Sequence, residues 1–431
     1  MRLSPIYSRF LKLLAIALLT NQFMQPGAIA NPSTPEPVNS PTIITAQDSP
    51  KALVDEVWQI ISRQYIDARF NQQDWNAIRQ RYLNRSYGSH EEAYQAIREM
   101  LKLLGDPFTR FFDPVAYENL ARTSTDITGT GLVLTNDRDT QVVRIVQPTE
   151  NSPAQKAGIL PRDIITAIDG KPVETTPANE VLTLLQGKEG TFVTIGIIRN
   201  GQPITVRIQR TKDSIETIPV RYRVEETVFG RIGYIQLTQF TSIANQEMKE
   251  AIEALEKENV KGYVFDLRSN LGGLLYPSIE IARMWLDRGI IVSMIDRDGI
   301  QDQMKANNRA LTEKPLVILI NDNSASASEI VAAALQENKR ASLVGTRTEG
   351  YNSIQSVRGV GNGSGLAVTI AKWLTPTGRD IHRTGLNPDV VVELTDRQQQ
   401  DLFRDGKIGT TADPQFAKAL QILNQKLRPS R

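Results

Sequence analysis

The chain predicts a multidomain α+β protein, and three stretches of contrasting pattern predict it. From residue 49 to 125, Leu53, Val57, Ile60 and Ile61, then Ala93, Ala96, Ile97, Met100, Leu101 and Leu104, recur at three- and four-residue spacing, the stripe of amphipathic helices. From 126 to 210, short alternating runs surround glycine-rich turns, the mark of small strands. From 211 to 395, strands alternate with helices, as in an α/β sheet. Residues 396–431 read as a C-terminal helical tail. With 431 residues, 40% hydrophobic and 23% charged, there is material for two or three domains with cores of their own.

Ahead of these blocks, residues 1–30 carry a basic start (Arg2, Arg9, Lys12), an apolar segment from Leu13 to Leu19, and Ala28-Ile29-Ala30. This is the pattern of a secretory signal peptide with its cleavage site. An uncleaved membrane anchor is the competing reading, but the apolar segment is well short of the ~20 residues a span needs, and no later segment could span. Residues 31–48, rich in Pro, Thr and Ser, read as a flexible linker. Removing the signal's three positive charges takes the net charge from +2 to −1, so the balance does not point to nucleic acid. With no cysteine, the chain has no disulfide, thiol nucleophile or cysteine metal site, and two histidines, His90 and His382, are too few for a multi-histidine centre. Each reads as an ordinary surface histidine. No cofactor is indicated.

The first block, 49–125, is expected to be a small helical domain. In the second, 126–210, Thr128-Gly129-Thr130-Gly131-Leu132-Val133-Leu134 is followed by Ser152-Pro153-Ala154-Gln155-Lys156-Ala157-Gly158-Ile159 and by Asp163-Ile164-Ile165-Thr166-Ala167-Ile168-Asp169-Gly170. These residues resemble a PDZ domain, a small β-rich barrel with helices. Such domains hold a ligand's terminal carboxylate on backbone N–H groups of the first loop and accept the peptide along the adjoining strand edge. The resemblance therefore implies a peptide site at Gly129, Thr130, Gly131 and Leu132. A nucleotide-binding loop would need G-x-x-x-x-G-K-S/T or G-x-G-x-x-G, and neither is present.

In the third block, 211–395, the apolar run Leu316-Val317-Ile318-Leu319-Ile320 meets Asn321-Asp322-Asn323-Ser324-Ala325-Ser326-Ala327-Ser328-Glu329 and then a helical pattern: strand, tight turn, helix. Ser326 would stand at the helix start, where unpaired N–H groups and the positive dipole end favour an oxyanion. The small Ala325 and Ala327 leave room for a carbonyl. Ser326-Ala327-Ser328-Glu329 also fits the S-x-x-E capping box, in which the serine would only cap a helix.

Two further motifs accompany it: Asp266-Leu267-Arg268-Ser269-Asn270-Leu271-Gly272-Gly273, and Gly345-Thr346-Arg347-Thr348-Glu349-Gly350-Tyr351-Asn352-Ser353-Ile354-Gln355. With the PDZ-like block and Asp106-Pro107-Phe108-Thr109-Arg110-Phe111, they resemble the carboxyl-terminal processing peptidases, in particular the cyanobacterial and chloroplast branch, over residues 50 to 395. The resemblance implies an α/β spiral, crotonase-like peptidase core with an inserted PDZ domain. It implies Ser326 as nucleophile, the Ala327 N–H with one from Gly272 or Gly273 as oxyanion hole, and Gln355 as orienter of the base. It also implies protein or peptide C-terminal tails as substrates, a photosystem II reaction-centre precursor being the best-known in photosynthetic organisms, and a place in the periplasm or thylakoid lumen.

The family's base is a lysine in T-F-G-K-G-x-x-Q, and this chain reads Thr348-Glu349-Gly350-Tyr351-Asn352-Ser353-Ile354-Gln355. Tyr351, 25 residues past Ser326, therefore stands in the lysine's place. Burial lowers a lysine's pKa and frees its amine, whereas the same burial raises a tyrosine's and withholds the phenolate. A phenolate base would need a neighbouring cation, for which Arg347 and Lys372 are the candidates. Two readings stay open: a serine peptidase with an unusual base, and a catalytically impaired pseudopeptidase that holds tails as a PDZ scaffold.

Overall fold

A computed structural model describes residues 49–121, 129–137, 140–174, 176–212, 218–228, 230–299 and 301–427. The expected signal peptide and linker, and Thr128 of the glycine-rich turn, lie outside the described residues. Two units divide the chain. The first takes in the described residues up to Leu120, with Ile295–Asp302 and Ser353–Lys372; the second takes in those of Ala121–Met294, Gln303–Asn352 and Trp373–Arg431. Among the described residues no helix is long and apolar enough to cross a membrane.

In the first unit, the helices Pro50–Gln64, Trp75–Leu83 and His90–Lys102 each begin at a side chain that accepts a backbone N–H: Ser49, Asp74 and Ser89. Their apolar stripes meet in one core, where Val57, Ile61, Ile97 and Met100 are fully buried. Arg110–Phe112 pairs antiparallel with Gly365–Leu374, Arg110 opposite Ala367, and the latter strand also pairs with Ser353–Gly359.

The second unit holds two sheets. In one, Leu132–Asn136 is the edge strand beside Val143–Pro148, followed by Ile164–Ile168, Phe192–Arg199 and Gln202–Gln209. The helix Ala178–Leu185 closes its core over Ile145, Ile159, Val193 and Ile195. In the other, Gly230–Leu237, Gly262–Asp266, Leu316–Ile320, Ala341–Gly345 and Val390–Val391 run parallel, with Val220–Thr227 antiparallel at one edge. Parallel strands are covered on both faces, which is why Leu316–Ile320 reads as an unbroken apolar run and is buried throughout. The helix Pro414–Leu427 covers one face, setting Phe416, Ala419 and Leu423 against Ile232, Val264 and Leu319. Each large apolar side chain so buried contributes about 1.5–3 kcal/mol. The sheet carries two loops of interest at the C-terminal ends of its strands, where α/β folds place their sites: Leu267–Leu274 after Gly262–Asp266, and Asn321–Ser326 after Leu316–Ile320.

Candidate active site

The two loops are stitched together by their own polar groups. Asn321 Oδ1 accepts the Ser269 N–H at 2.8 Å, Ser324 Oγ donates to the Leu267 carbonyl at 2.8 Å, and Ser328 Oγ donates to the Asn270 carbonyl at 2.8 Å. Asn270 in turn donates to the Leu237 carbonyl at 2.8 Å. The cluster of Asn and Ser that marks a turn in the sequence is thus a set of buried cross-loop bonds, each satisfying a group that burial would otherwise penalise.

Ser326 sits where this stitching converges, with φ 53° and ψ −112°. A left-handed φ at a residue with a side chain costs roughly 1–3 kcal/mol, and persists only where the surroundings enforce it. The capping box forms, and its firm bond is the glutamate's: Glu329 Oε2 accepts the Ser326 N–H at 2.9 Å, while the Glu329 N–H goes to the Ser326 backbone carbonyl at 2.9 Å. The helix Ala327–Glu337 is therefore capped chiefly by Glu329.

Gly272 packs directly on this turn. At φ +100° it occupies a conformation suited to glycine, and a Cβ there would lie 2.8 Å from the Ala325 carbonyl oxygen, 2.9 Å from Ser326 Cβ and 3.0 Å from the Ala327 nitrogen. Its own N–H is engaged by Asn270 Oδ1 at 2.8 Å. Of the expected oxyanion donors, Ala327 stands at the first position of the helix, whose N–H has no partner within the helix, and Gly273 follows Gly272 in the close-packed loop. Gly272→Ala is expected to shift the Ala327 N–H and cut Ser326-dependent turnover about a hundredfold, since displacements near 1 Å cost that much. Comparing kcat with tail binding checks this; turnover at the unsubstituted level would contradict it.

Glu329 also reaches the segment that carries Tyr351. Its Oε1 accepts Thr348 Oγ1 at 2.5 Å and the Gly350 N–H at 2.7 Å, and its Oε2 accepts the Tyr351 N–H at 2.9 Å. The Glu349 N–H adds a bond to the Ser324 carbonyl at 3.1 Å. One oxygen, Oε2, thus holds the backbone nitrogens of both Ser326 and Tyr351. Burial pushes the Glu329 carboxyl up to about 7, against the pull of its hydrogen bonds. The far side of the segment is fixed by residues 380–386. The Arg383 N–H meets the Gly350 carbonyl at 2.9 Å, and Asp380 Oδ1 accepts both Asn352 Nδ2 and the His382 N–H at 2.8 Å. Asn352, which stands for the family's glycine, is fully buried. His382 is half-buried in a loop that packs against Gly350, not on the open surface.

Gln355 belongs to the first unit, on Ser353–Gly359, where its Nε2 lies 3.5 Å from Thr369 Oγ1. Lys372 is in that unit too, and Arg347 in the second. In the PDZ-like sheet, the Gly129 N–H bonds the Thr211 carbonyl at 3.3 Å, while the Thr130 and Gly131 carbonyls accept Ala154 and Thr149 N–H groups. These bonds fix the loop ahead of the edge strand. A cleft of about 730 Å³ runs from Leu132, Leu134 and Leu182 to Leu271, Gly272 and Gly273. Beside it, Arg162 grips Asp322 of the Asn321–Ser326 turn with two bonds, 2.7 and 3.0 Å.

A strained serine at a helix start with a glycine loop packed against it, and a sheet edge whose cleft reaches that glycine loop, form the arrangement expected of a serine peptidase. Comparison with known proteins agrees. Residues 231–392 match the peptidase family S41, 144–199 a PDZ domain and 51–102 the tricorn protease C1 domain. The chain is 39% identical to the carboxyl-terminal-processing protease of Synechocystis over 89% of each, and 38% identical to chloroplastic carboxyl-terminal-processing peptidase 2 of Arabidopsis thaliana, over 91% of this chain and 79% of that one. The solved photosystem II D1 C-terminal processing protease superposes with a TM-score of 0.70 at 35% identity, covering 80% of this chain and 93% of that one. The chain belongs to the carboxyl-terminal-processing protease family.

Proposed function

We propose that this chain is a slow serine endopeptidase that cuts proteins near exposed, apolar C-terminal tails. A tail carboxylate meets the N–H groups of Thr130, Gly131 and Leu132, the tail extends along Leu132–Asn136, and the scissile carbonyl comes to Ser326 with its oxygen toward the N–H groups of Ala327 and Gly273. The single observation that carries this reading is the strained backbone of Ser326, since a serine kept only to cap would not hold φ 53°. Gln355 would orient the base position, as its place in the motif implies. Tyr351 occupies that position, and a phenol, ordinarily ionising near ~10, takes the serine proton poorly at neutral pH. That phenol favours the second reading, a PDZ scaffold that binds tails without cutting them.

Cyanobacterial and chloroplastic proteins are among the relatives, and one solved structure is named for D1 processing. We place the mature chain, from Asn31, in the periplasm or thylakoid lumen, with a photosystem II reaction-centre precursor as a candidate substrate. The test is incubation of residues 31–431, beside Ser326→Ala, with an unstructured polypeptide ending in an apolar tail. The expected result is slow cleavage that Ser326→Ala abolishes with tail binding retained. Tail binding by both proteins and cleavage by neither would establish the scaffold instead.

A further inference from the structure

The proposed cleavage gives no role to the buried carboxyl of Glu329. Glu329 is fully buried, accepts four hydrogen bonds, and makes them to both parts of the site: Ser326 on the nucleophile turn, and Thr348, Gly350 and Tyr351 on the base segment. We propose that Glu329 is a positioning residue, its carboxylate acting as the clasp that holds the Thr348–Tyr351 segment in register with Ser326. This rests on the same site as the proposed peptidase activity, but the clasp exists whether or not peptide is cut.

Three of the four donors are backbone N–H groups, which can only donate. An ionised carboxylate accepts from all of them. Once protonated, one of its oxygens carries a hydrogen that needs an acceptor, and Thr348 Oγ1 is the one bonded partner able to accept. That oxygen already takes the Leu386 N–H at 2.7 Å. Protonation therefore weakens at least one of the bonds to Ser326, Gly350 or Tyr351.

The other titratable or charged groups on the packed segments are Asp322 on the turn, Arg347, Glu349 and Tyr351 on the base segment, and Asp380, His382 and Arg383 beyond it. All four bonds to Glu329 come from uncharged donors. With burial raising its pKa from the ordinary 4.5 to about 7, the clasp changes state in the physiological range. Because the folded carboxyl holds its proton more tightly than the unfolded one, its contribution to stability is full below about 4.5 and is lost as pH rises through about 7. The ionised form that assembles the site is thus the one that folding disfavours, a trade seen where function needs a costly arrangement.

The experiment follows amide hydrogen exchange at Ser326, Gly350 and Tyr351 against pH, in the full mature chain and in Glu329→Gln, alongside peptide cleavage. In the native chain, protection corrected for intrinsic rates should fall about tenfold or more as pH drops from 8 to 6. In Glu329→Gln it should be low and flat, with any cleavage losing its acid limb and kcat falling while KM holds. Glu329→Asp should rescue part of the protection. PH-dependent protection without cleavage would sink the peptidase reading and keep the clasp. Equal protection in both chains, or a variant whose lost protection spreads over the whole fold, would overturn the clasp.

Discussion

Tyr351→Lys is expected to raise kcat/KM for an apolar-tailed polypeptide by about a hundredfold or more, with KM nearly unchanged. A positioned general base contributes 10²–10⁴-fold, and a phenol, ordinarily ionising near ~10, supplies little of it at neutral pH. A lysine ammonium in the same half-buried place loses its proton more readily than in water, leaving a neutral amine. The backbone is already set for it. Glu329 Oε2 fixes the Tyr351 nitrogen at 2.9 Å while holding the Ser326 nitrogen at 2.9 Å, so the backbone at 351 is held close to that of Ser326. In the proposed binding mode the tail is held by the PDZ loop and edge strand, which the substitution leaves alone. Steady-state kinetics from pH 6 to 9 check this: the variant should gain activity as pH rises and the ammonium deprotonates. Tyr351→Phe is the companion test, since its loss of all activity would make the phenol itself the base. A folded Tyr351→Lys chain with unimproved turnover would mean that the base is not served from this position.

Much of this site could be read in the chain. The apolar run Leu316–Ile320, the small polar residues after it and the helical pattern beyond give the strand, turn and helix and put Ser326 at the junction. The capping box was legible too, but not its division of labour. Spacing says which side chains can reach the helix N-terminus, whereas φ at Ser326 and the competing donors of residues 348–351 decide which one does. Glu329 therefore reads as a local cap, and only folding brings Thr348, Gly350 and Tyr351 onto it. In the sequence Thr348 to Gln355 is one pattern; in the fold the chain passes from one unit to the other between Asn352 and Ser353. His382 likewise carries no periodicity that could announce its packing near Gly350. Long-range partners of this kind depend on which loops the sheet order makes neighbours, and local pattern does not encode that.

The same limit hides the partner of Arg268, whose loss should have the largest effect on stability. Arg268→Ala is expected to cost about 3–5 kcal/mol, the range for breaking a buried ion pair. The guanidinium lies between two fully buried carboxylates, 2.6 Å from Asp266 and 2.8 Å from Asp413, and also donates to Gln415 Oε1 at 2.8 Å. Asp266 accepts the buried Tyr234 hydroxyl at 2.8 Å, and Asp413 accepts the Gly409 and Gln415 N–H groups at 3.0 Å. The arginine thereby ties the loop bearing Gly272 and Gly273 to the start of the helix Pro414–Leu427. Removing it leaves two buried negative charges facing each other, which costs far more than the contact area of the side chain. Urea unfolding of the variant should show a lower midpoint, and adding Asp413→Asn should restore part of the loss by removing one uncompensated charge. That recovery separates charge from packing, because the nearly isosteric Asp413→Asn change removes a charge but fills no cavity. A midpoint shift worth under about 1 kcal/mol would contradict the burial of the pair. Tail cleavage measured on the folded fraction should fall as well, since the loop that carries Gly273, the proposed oxyanion donor, is anchored through this residue.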